Sequence, residues 1–216
     1  MSDAGGRREA VILAGGRSRR MGSEKALLPL DGGTVIERLA LRLAGSFDRI
    51  IISAGSELPS EGLAAALARL VSGGVDVVAV RDRRPGSAGP LAGVEAALEA
   101  VEGSRAFFVA VDVVDPGDSL PGRLLEEASA EGSLGAVPRC GGLLQGAFAV
   151  YARALLPRVR SLLDEGEARL QVLAGIEGVS GVELEGAAGG VFTAFNTPAE
   201  FESARLAIEG GPETEM

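Results

Sequence analysis

The sequence predicts an α/β domain of three layers with a mostly parallel central sheet. Three observations carry this. Apolar runs of strand length recur at about 9–14, 49–53, 75–80 and 105–112, the mark of buried strands. Helical stretches separate them, and strands joined by helices run parallel. The chain has 216 residues, 46% of them hydrophobic, enough for one domain with a sizeable core.

The elements follow in chain order. Ala10-Val11-Ile12-Leu13 forms the first strand, and a glycine- and arginine-rich loop runs on to about residue 28. Leu27 to Gly33 reads as a tight turn through Asp31-Gly32-Gly33. A helix over 34–45 opens with a capping box, Thr34 paired to Glu37. The strand 49–53 is β-branched, the alanine-rich helix 63–70 is closed by Gly73-Gly74, and Val75 to Val80 is the third strand. A polar loop leads to a helix starting near Pro90. Residues 11–13, 50–53, 76–80 and 106–111 are expected as adjacent central strands. Then come a helix over 118–131 and two strands, 134–138 and 143–151, joined by a hairpin-like turn at Arg139-Cys140-Gly141-Gly142. A helix over 152–164 follows, and another begins at 166–170. Thr197 caps a final helix, with Pro198 at its first position and Glu200 at its third. Residues 1–8 and 210–216 are expected to be disordered tails, leaving a single domain over 9–209.

Composition narrows the chemistry. The chain has no histidine and one cysteine, Cys140. That removes Ser-His-Asp and Cys-His catalysis, histidine–zinc sites, cysteine-cluster metal sites and an internal disulfide. Any metal is then a hard cation on oxygen ligands. The net charge of −9 argues against nucleic acid and anionic membranes as partners. No apolar run reaches membrane-spanning length, and Met1 to Glu9 has no signal-peptide core, so a cytoplasmic protein is expected.

Function concentrates in Leu13-Ala14-Gly15-Gly16-Arg17-Ser18-Arg19-Arg20-Met21-Gly22-Ser23-Glu24-Lys25. Paired glycines let the backbone approach a ligand closely, and free N–H groups in such a turn form an anion-binding nest. Arginine forks and a lysine point charge suit phosphate oxygens. The spacing is neither a P-loop nor a dinucleotide fingerprint. Of 21 Lys plus Arg residues, Lys25 is the single lysine; in a chain that otherwise uses arginine, this hints that a compact ammonium is required there, although chance explains it too. Basic residues cluster here and again at Arg81, Arg83 and Arg84.

The thirteen-residue string resembles, residue for residue, the signature L-A-G-G-x-S-x-R-M-G-x-x-K of the molybdenum cofactor guanylyltransferase family. Sugar-phosphate and cytidylyl transferases share its G-G and K. The resemblance implies a Rossmann-like, GT-A-like nucleotidyltransferase fold and extends over about residues 9–205. Gly89-Pro90-Leu91-Ala92-Gly93 resembles the family's second block, and Asp82 before it fits the nucleotide-contacting Asp; a turn Asp paired with a neighbouring arginine is the other reading. Asp112 closes the most hydrophobic strand, where the family carries C-D-x-P and its Asp binds metal. Here the stretch reads Val111-Asp112-Val113-Val114-Asp115-Pro116. Asp112 aligns by strand end, and Asp115-Pro116 is the alternative. The family's H-P block is replaced around Gln145. Gly166-Glu167-Ala168-Arg169 resembles G-E-x-R, where Arg169 would meet the acceptor's phosphate or pair with Glu167 at the surface. Phe192 to Glu200 resembles F-x-N-x-N-T-P-E, with Ala194 at the first Asn and Asn196 at the second.

The resemblance therefore implies transfer of GMP from GTP to molybdopterin, giving molybdopterin guanine dinucleotide and pyrophosphate. It assigns Lys25, Arg20 and Asp112 to catalysis. Leu13, Ala14, Gly15, Gly16, Lys25, Ser53, Asp82 and Asp112 go to the nucleotide, Arg169 and Asn196 to the acceptor, and Asp112 to Mg²⁺. It implies a monomer with small-molecule substrates, in transient contact with other proteins of cofactor biosynthesis or molybdoenzyme maturation. Two alternatives remain: CTP or another phosphorylated acceptor, and nucleotide binding without turnover, which the altered C-D-x-P and H-P blocks suggest.

Overall fold

Strand Glu9–Leu13 (β1) is buried along its whole length, and this follows from its place between two helical layers. Ala10 and Ile12 point into one core, Val11 and Leu13 into the other. The computed structural model describes residues 6–15, 24–57, 59–84, 89–113, 115–117, 119–184 and 195–210. Within them, Arg49–Ser53 (β4), Val77–Val80 (β5) and Arg105–Ala110 (β6) join β1 as parallel neighbours in the order β6-β1-β4-β5. Pro29–Leu30 (β2) and Gly33–Thr34 (β3) form a separate two-stranded hairpin, turning through Asp31 and Gly32 at φ 52° and 74°.

Beyond β6 the sheet continues through Phe148–Ala152 (β9), which is antiparallel to both its neighbours, then Gly135–Cys140 (β7) and Val179–Glu183 (β10). Leu143–Leu144 (β8) pairs with β7 alone. The expected strand 143–151 is thus split, because Gln145 to Ala147 turn between β8 and β9. Cys140 ends β7 rather than sitting in the turn, and it is half-buried. β5 is an edge strand, not a central one, and all four of its residues are half-buried. β10 has no counterpart among the sequence expectations.

Helices Val35–Ala44 (α1), Glu61–Ser72 (α2), Ser119–Glu127 (α4) and Pro198–Glu209 (α6) cover one face, through Ile36, Leu39, Leu63, Leu70, Leu124 and Phe201. Gly89–Ala100 (α3) and Leu156–Asp164 (α5) cover the other, through Leu91, Val94, Leu98, Val159 and Leu162. The three-layer expectation holds. The capping box of α1 is present, with Thr34 N–H donating to Glu37 Oε2 at 3.0 Å. α4 is shorter than expected. Leu170–Gly175 is a 3-10 helix, not an α-helix; Leu170 and Leu173 are both buried, a three-residue spacing that suits the tighter turn.

At the amino edge, residues 6–8 contradict the expected disorder. Arg7 pairs with Asp76 and with Glu102, and Arg8 N–H donates to Asp48 Oδ2 at 2.8 Å. The fully buried Glu9 carboxylate accepts the backbone N–H groups of Glu102 and Gly103 at 2.8 and 2.7 Å, so a buried charge is hydrogen-bonded. Residues 1–5 and 211–216, expected as tails, lie outside the described residues.

Candidate active site

The carboxyl edge of the sheet is where open α/β folds hold ligands, and four loops meet there in rank. The backbone ladder continues just past the strand ends. Val111 N–H donates to Leu13 O (3.1 Å), Ala14 N–H to Ser53 O (2.9 Å), Ala54 N–H to Val80 O (2.9 Å), and Asp82 N–H to Gly55 O (2.9 Å). Gly15 packs so closely on the next loop that a Cβ there would lie 2.7 Å from Gly55 N. Leu13, Ala14 and Gly15 thus stand between Asp112 on one side and Asp82 on the other.

Lys25 begins a short 3-10 helix, Lys25–Leu27. Its Nζ is 3.0 Å from Asp112 Oδ2 and donates to Asn196 Oδ1, also at 3.0 Å. It lies 5.3 Å from the centroid of the Phe195 ring. The Lys25 and Asp112 side chains are only 15% and 21% exposed, so the pair is partly desolvated and weakly screened. Three of the residues singled out in the sequence therefore converge, from chain positions up to 171 residues apart. The residue before Lys25 is tied to the start of α2: Ser60 Oγ donates to Glu24 Oε2 at 2.7 Å while capping Leu63 N–H. The α6 capping box holds the other side, where Glu200 Oε2 accepts Asn196 N–H (2.6 Å) and Thr197 N–H (3.1 Å).

Asp115 is placed elsewhere. Its Oδ1 accepts Gly117 N–H at 2.9 Å and faces Arg42 Nε at 3.5 Å. Of the two aspartates, the one beside Lys25 is Asp112. Arg20 and Gly16 lie outside the described residues.

Asp82 is half-buried, and among the described residues nothing hydrogen-bonds its buried Oδ1. Burial, and then the Glu95 charge, raise its pKa above the ordinary carboxylate value. A buried acceptor without a donor is costly, and among the described residues no arginine is placed to pair with this oxygen. Arg83 and Arg84 have other partners. Arg84 makes two hydrogen bonds to Glu95 (2.8 and 3.0 Å) and one to Asp164 (2.6 Å), and Arg83 faces Glu99 at 3.7 Å. Acidic residues of α3 and α5 neutralise Arg83 and Arg84, which therefore add little positive field to the site.

Ser53 and Arg169 stand apart from Lys25. The Ser53 side chain is buried under α3, 2.7 Å from where a Cβ on Gly93 would be, so its strand-end carbonyl rather than its hydroxyl belongs to the edge. Arg169 is 78% exposed and forked on Glu167 at 2.8 and 3.0 Å. That fork, with two backbone N–H donors, lowers Glu167 to about 2. The loop carrying it docks on α3: Ala168 O accepts Leu91 N–H at 3.2 Å, and Gly89, at φ 70°, has Ala168 O within 2.8 Å of its missing Cβ. Phe195 and Gly55 were missed in the sequence. Phe195 sits between Ala194 and Asn196 at a variable position of its motif and carries no signal of its own, whereas a glycine just after a strand could have marked Gly55.

Known proteins are similar to this chain in sequence and fold. The family model of the MobA-like NTP transferase domain matches residues 10–177. The chain belongs to the MobA-like NTP transferase family. A relative from Pelotomaculum thermopropionicum, named "Probable molybdenum cofactor guanylyltransferase", is 35% identical over 92% of each chain. The molybdenum cofactor guanylyltransferase of Rhodobacter capsulatus is 33% identical over 76% of this chain and 79% of that one. In fold, the chain is similar to the crystal structure of molybdopterin-guanine dinucleotide biosynthesis protein A from Archaeoglobus fulgidus, with a TM-score of 0.74 at 20% identity over 94% and 99% of the two chains. As a MobA-like protein this chain is a nucleotidyltransferase with a Rossmann-like fold. The family match ends before Phe195 and Asn196, which complete the Lys25 cluster from outside it.

Proposed function

We propose that this MobA-like transferase moves GMP from GTP to the phosphate of molybdopterin. The observation that carries the reading is the rank of groups along the carboxyl edge. Lys25 and Asp112 stand at the β6–β1 end and the Asp82 carboxylate, its Oδ1 without a hydrogen bond among the described residues, at the β5 end, with glycine backbone between them. Three strand spacings, about 14 Å, separate β6 from β5, a width that suits a nucleoside triphosphate lying across the strands. Phosphates then meet Lys25 and the base meets Asp82. A guanine offers N1–H and N2–H together to one carboxylate, whereas cytosine offers one exocyclic donor. The curated relatives named above support the same substrates.

The chemistry needs no strong base. A phosphate oxygen of molybdopterin, already anionic, attacks the α-phosphorus of GTP; the bond from α-phosphorus to its bridging oxygen breaks, and pyrophosphate leaves. Catalysis is then positioning and charge neutralisation. Lys25 holds phosphate oxygens, the 13–15 backbone holds the nucleotide, and the partly desolvated site strengthens both contacts. The absence of histidine is no obstacle to such a reaction.

The residues fit Mg²⁺ as a shared ion. Asp112 and Asn196 already direct oxygens at one cation, the Lys25 ammonium. Among the described residues no group of three or more His, Cys, Asp or Glu is placed to hold a metal alone. One carboxylate completed by substrate phosphates is how proteins commonly hold Mg²⁺, and Asp112 would supply it. The ion would neutralise charge developing on the triphosphate. Were Asp112 to hold the ion, the Lys25 ammonium would be free to turn to the phosphate oxygens.

The test pairs each of the four nucleoside triphosphates with molybdopterin and Mg²⁺ and follows pyrophosphate release. GTP is expected to support turnover. Turnover with CTP alone, or tight GTP binding with no pyrophosphate from any pairing, would overturn the reading.

A further inference from the structure

We infer that Phe195 is a positioning residue for Lys25, an aromatic face that steers the ammonium between its resting partner and the triphosphate. This rests on the reading of Lys25 as the phosphate contact. Four observations place Phe195 there. Its ring is fully buried and lies under the Lys25 ammonium, 5.3 Å from centroid to Nζ. The ring of Phe201 in α6 braces it, with centroids 4.9 Å apart and planes at 54°. Its backbone N–H donates to the carbonyl of Asp112 at 3.4 Å. The next residue, Asn196, accepts from Lys25, and α6 clamps that residue in turn. Residue 195 therefore touches both members of the Lys25–Asp112 pair.

The three contacts on the ammonium differ in what happens when substrate arrives. Asp112 and Asn196 are oxygen ligands, and both are suited to metal or acceptor. Either can be taken from Lys25. The ring competes for neither, because a π face binds cations but coordinates no Mg²⁺ and repels no phosphate that its cation already neutralises. A lysine stem has four rotatable bonds and costly rotamer freedom. The ring limits that freedom through the exchange, and the ammonium pivots over it from carboxylate to phosphate.

Lys25 is the single lysine of the chain, so protein grown on lysine labelled with ¹³C at Cε gives one Cε–Hε resonance. In the wild type this resonance is expected upfield of free lysine, shifted by the ring current of Phe195. It should keep most of that shift when GTP with Mg²⁺, or inorganic triphosphate, is added. Phe195→Leu should move it to the free-lysine position and weaken inorganic triphosphate binding about 3- to 30-fold, the range of one cation–π contact. Phe195→Tyr keeps the ring and should restore both. Should Phe195→Leu lose its native fold, the wild-type shift and its persistence with triphosphate decide the question. A wild-type resonance at the free-lysine position, loss of the shift on adding triphosphate, or unchanged triphosphate binding in folded Phe195→Leu would overturn the inference. None of these readouts depends on which acceptor or base the enzyme uses, so a failure of the guanylyl transfer assay leaves them standing.

Discussion

Among the described residues the Lys25 ammonium has three partners at fixed positions, and each limits what can replace it. Lys25→Ala removes the charge that meets the triphosphate, and kcat/KM should fall roughly 100-fold or more, the scale of one preorganised charge contact. Lys25→Arg should also be impaired, because a planar fork cannot occupy the point between Asp112 Oδ2 and Asn196 Oδ1, each 3.0 Å away. Steady-state kinetics of both variants check this, and normal turnover by Lys25→Arg would contradict it. The same geometry separates the two aspartates. Asp112→Asn should abolish Mg²⁺-dependent turnover, and Asp115→Asn should leave it within about 3-fold, since Asp115 serves a local turn and Arg42 at the surface. Asp82 gives a prediction with a sign in pH. Burial raises its folded pKa, so the native state binds its proton more tightly than the unfolded chain does. Its contribution to stability is complete below the unfolded pKa and is lost as pH rises through the folded one. Asp82→Asn should therefore raise Tm at pH 7, with the gap narrowing as pH falls into the carboxylate range, and should weaken GTP binding. Thermal melts across pH with calorimetric GTP titration read both. A variant that is less stable at pH 7 would show that the carboxylate has a stabilising partner.

At the scale of elements, the close approach of two loops sets the width of the site. A Cβ on Gly15 would lie 2.7 and 2.8 Å from backbone atoms of Gly55, and backbone cannot rotate away as a side chain can. Gly15→Ala should separate the loops after β1 and β4, lowering both Tm and GTP affinity, whereas a surface glycine change would touch neither. Calorimetry and a thermal melt on the one variant test it. Which elements the sequence made legible follows from where their signals lie. β1, α1 and α6 were legible because each carries its information locally: an unbroken apolar run, or a capping box within four residues. β10 was not, because Val-Ser-Gly-Val-Glu at an edge is half-exposed and interrupted by a glycine. Nor could the sequence show residues 7–9 stitched to residues 48, 76, 102 and 103, or Arg84 bound to Glu95 and Asp164, since those pairings depend on the tertiary fold. The site divides the same way. Lys25, Asp112 and Asn196 were found by motif, and their meeting, with Phe195 beneath, required the fold.

At the scale of the whole molecule, the first loop and the last helix close one site. Among the described residues every strand lies within 9–183, and the match to the family model ends at 177. Yet two of the three contacts on the Lys25 ammonium come from residues 195 and 196. α6 delivers them, seated on the core by Phe201 and Ala204. A chain ending at Leu184 keeps every described strand, with α3 and α5 on their face of the sheet. It loses the burial of Phe195 and Phe201, each about 1.5–3 kcal/mol of apolar transfer. Such a truncation should keep an α/β circular-dichroism spectrum and melt several degrees lower. Its affinity for GTP with Mg²⁺ should fall about 10-fold or more, because Lys25 loses Asn196 and the Phe195 ring and is freer to sample rotamers that miss the phosphates. Far-UV spectra establish that the sheet has formed, and calorimetric titration then reads the affinity. If the truncated chain folds and binds GTP as tightly as the full chain, the carboxyl-terminal segment does not organise the site, and Lys25 is placed through the tie of Glu24 to Ser60.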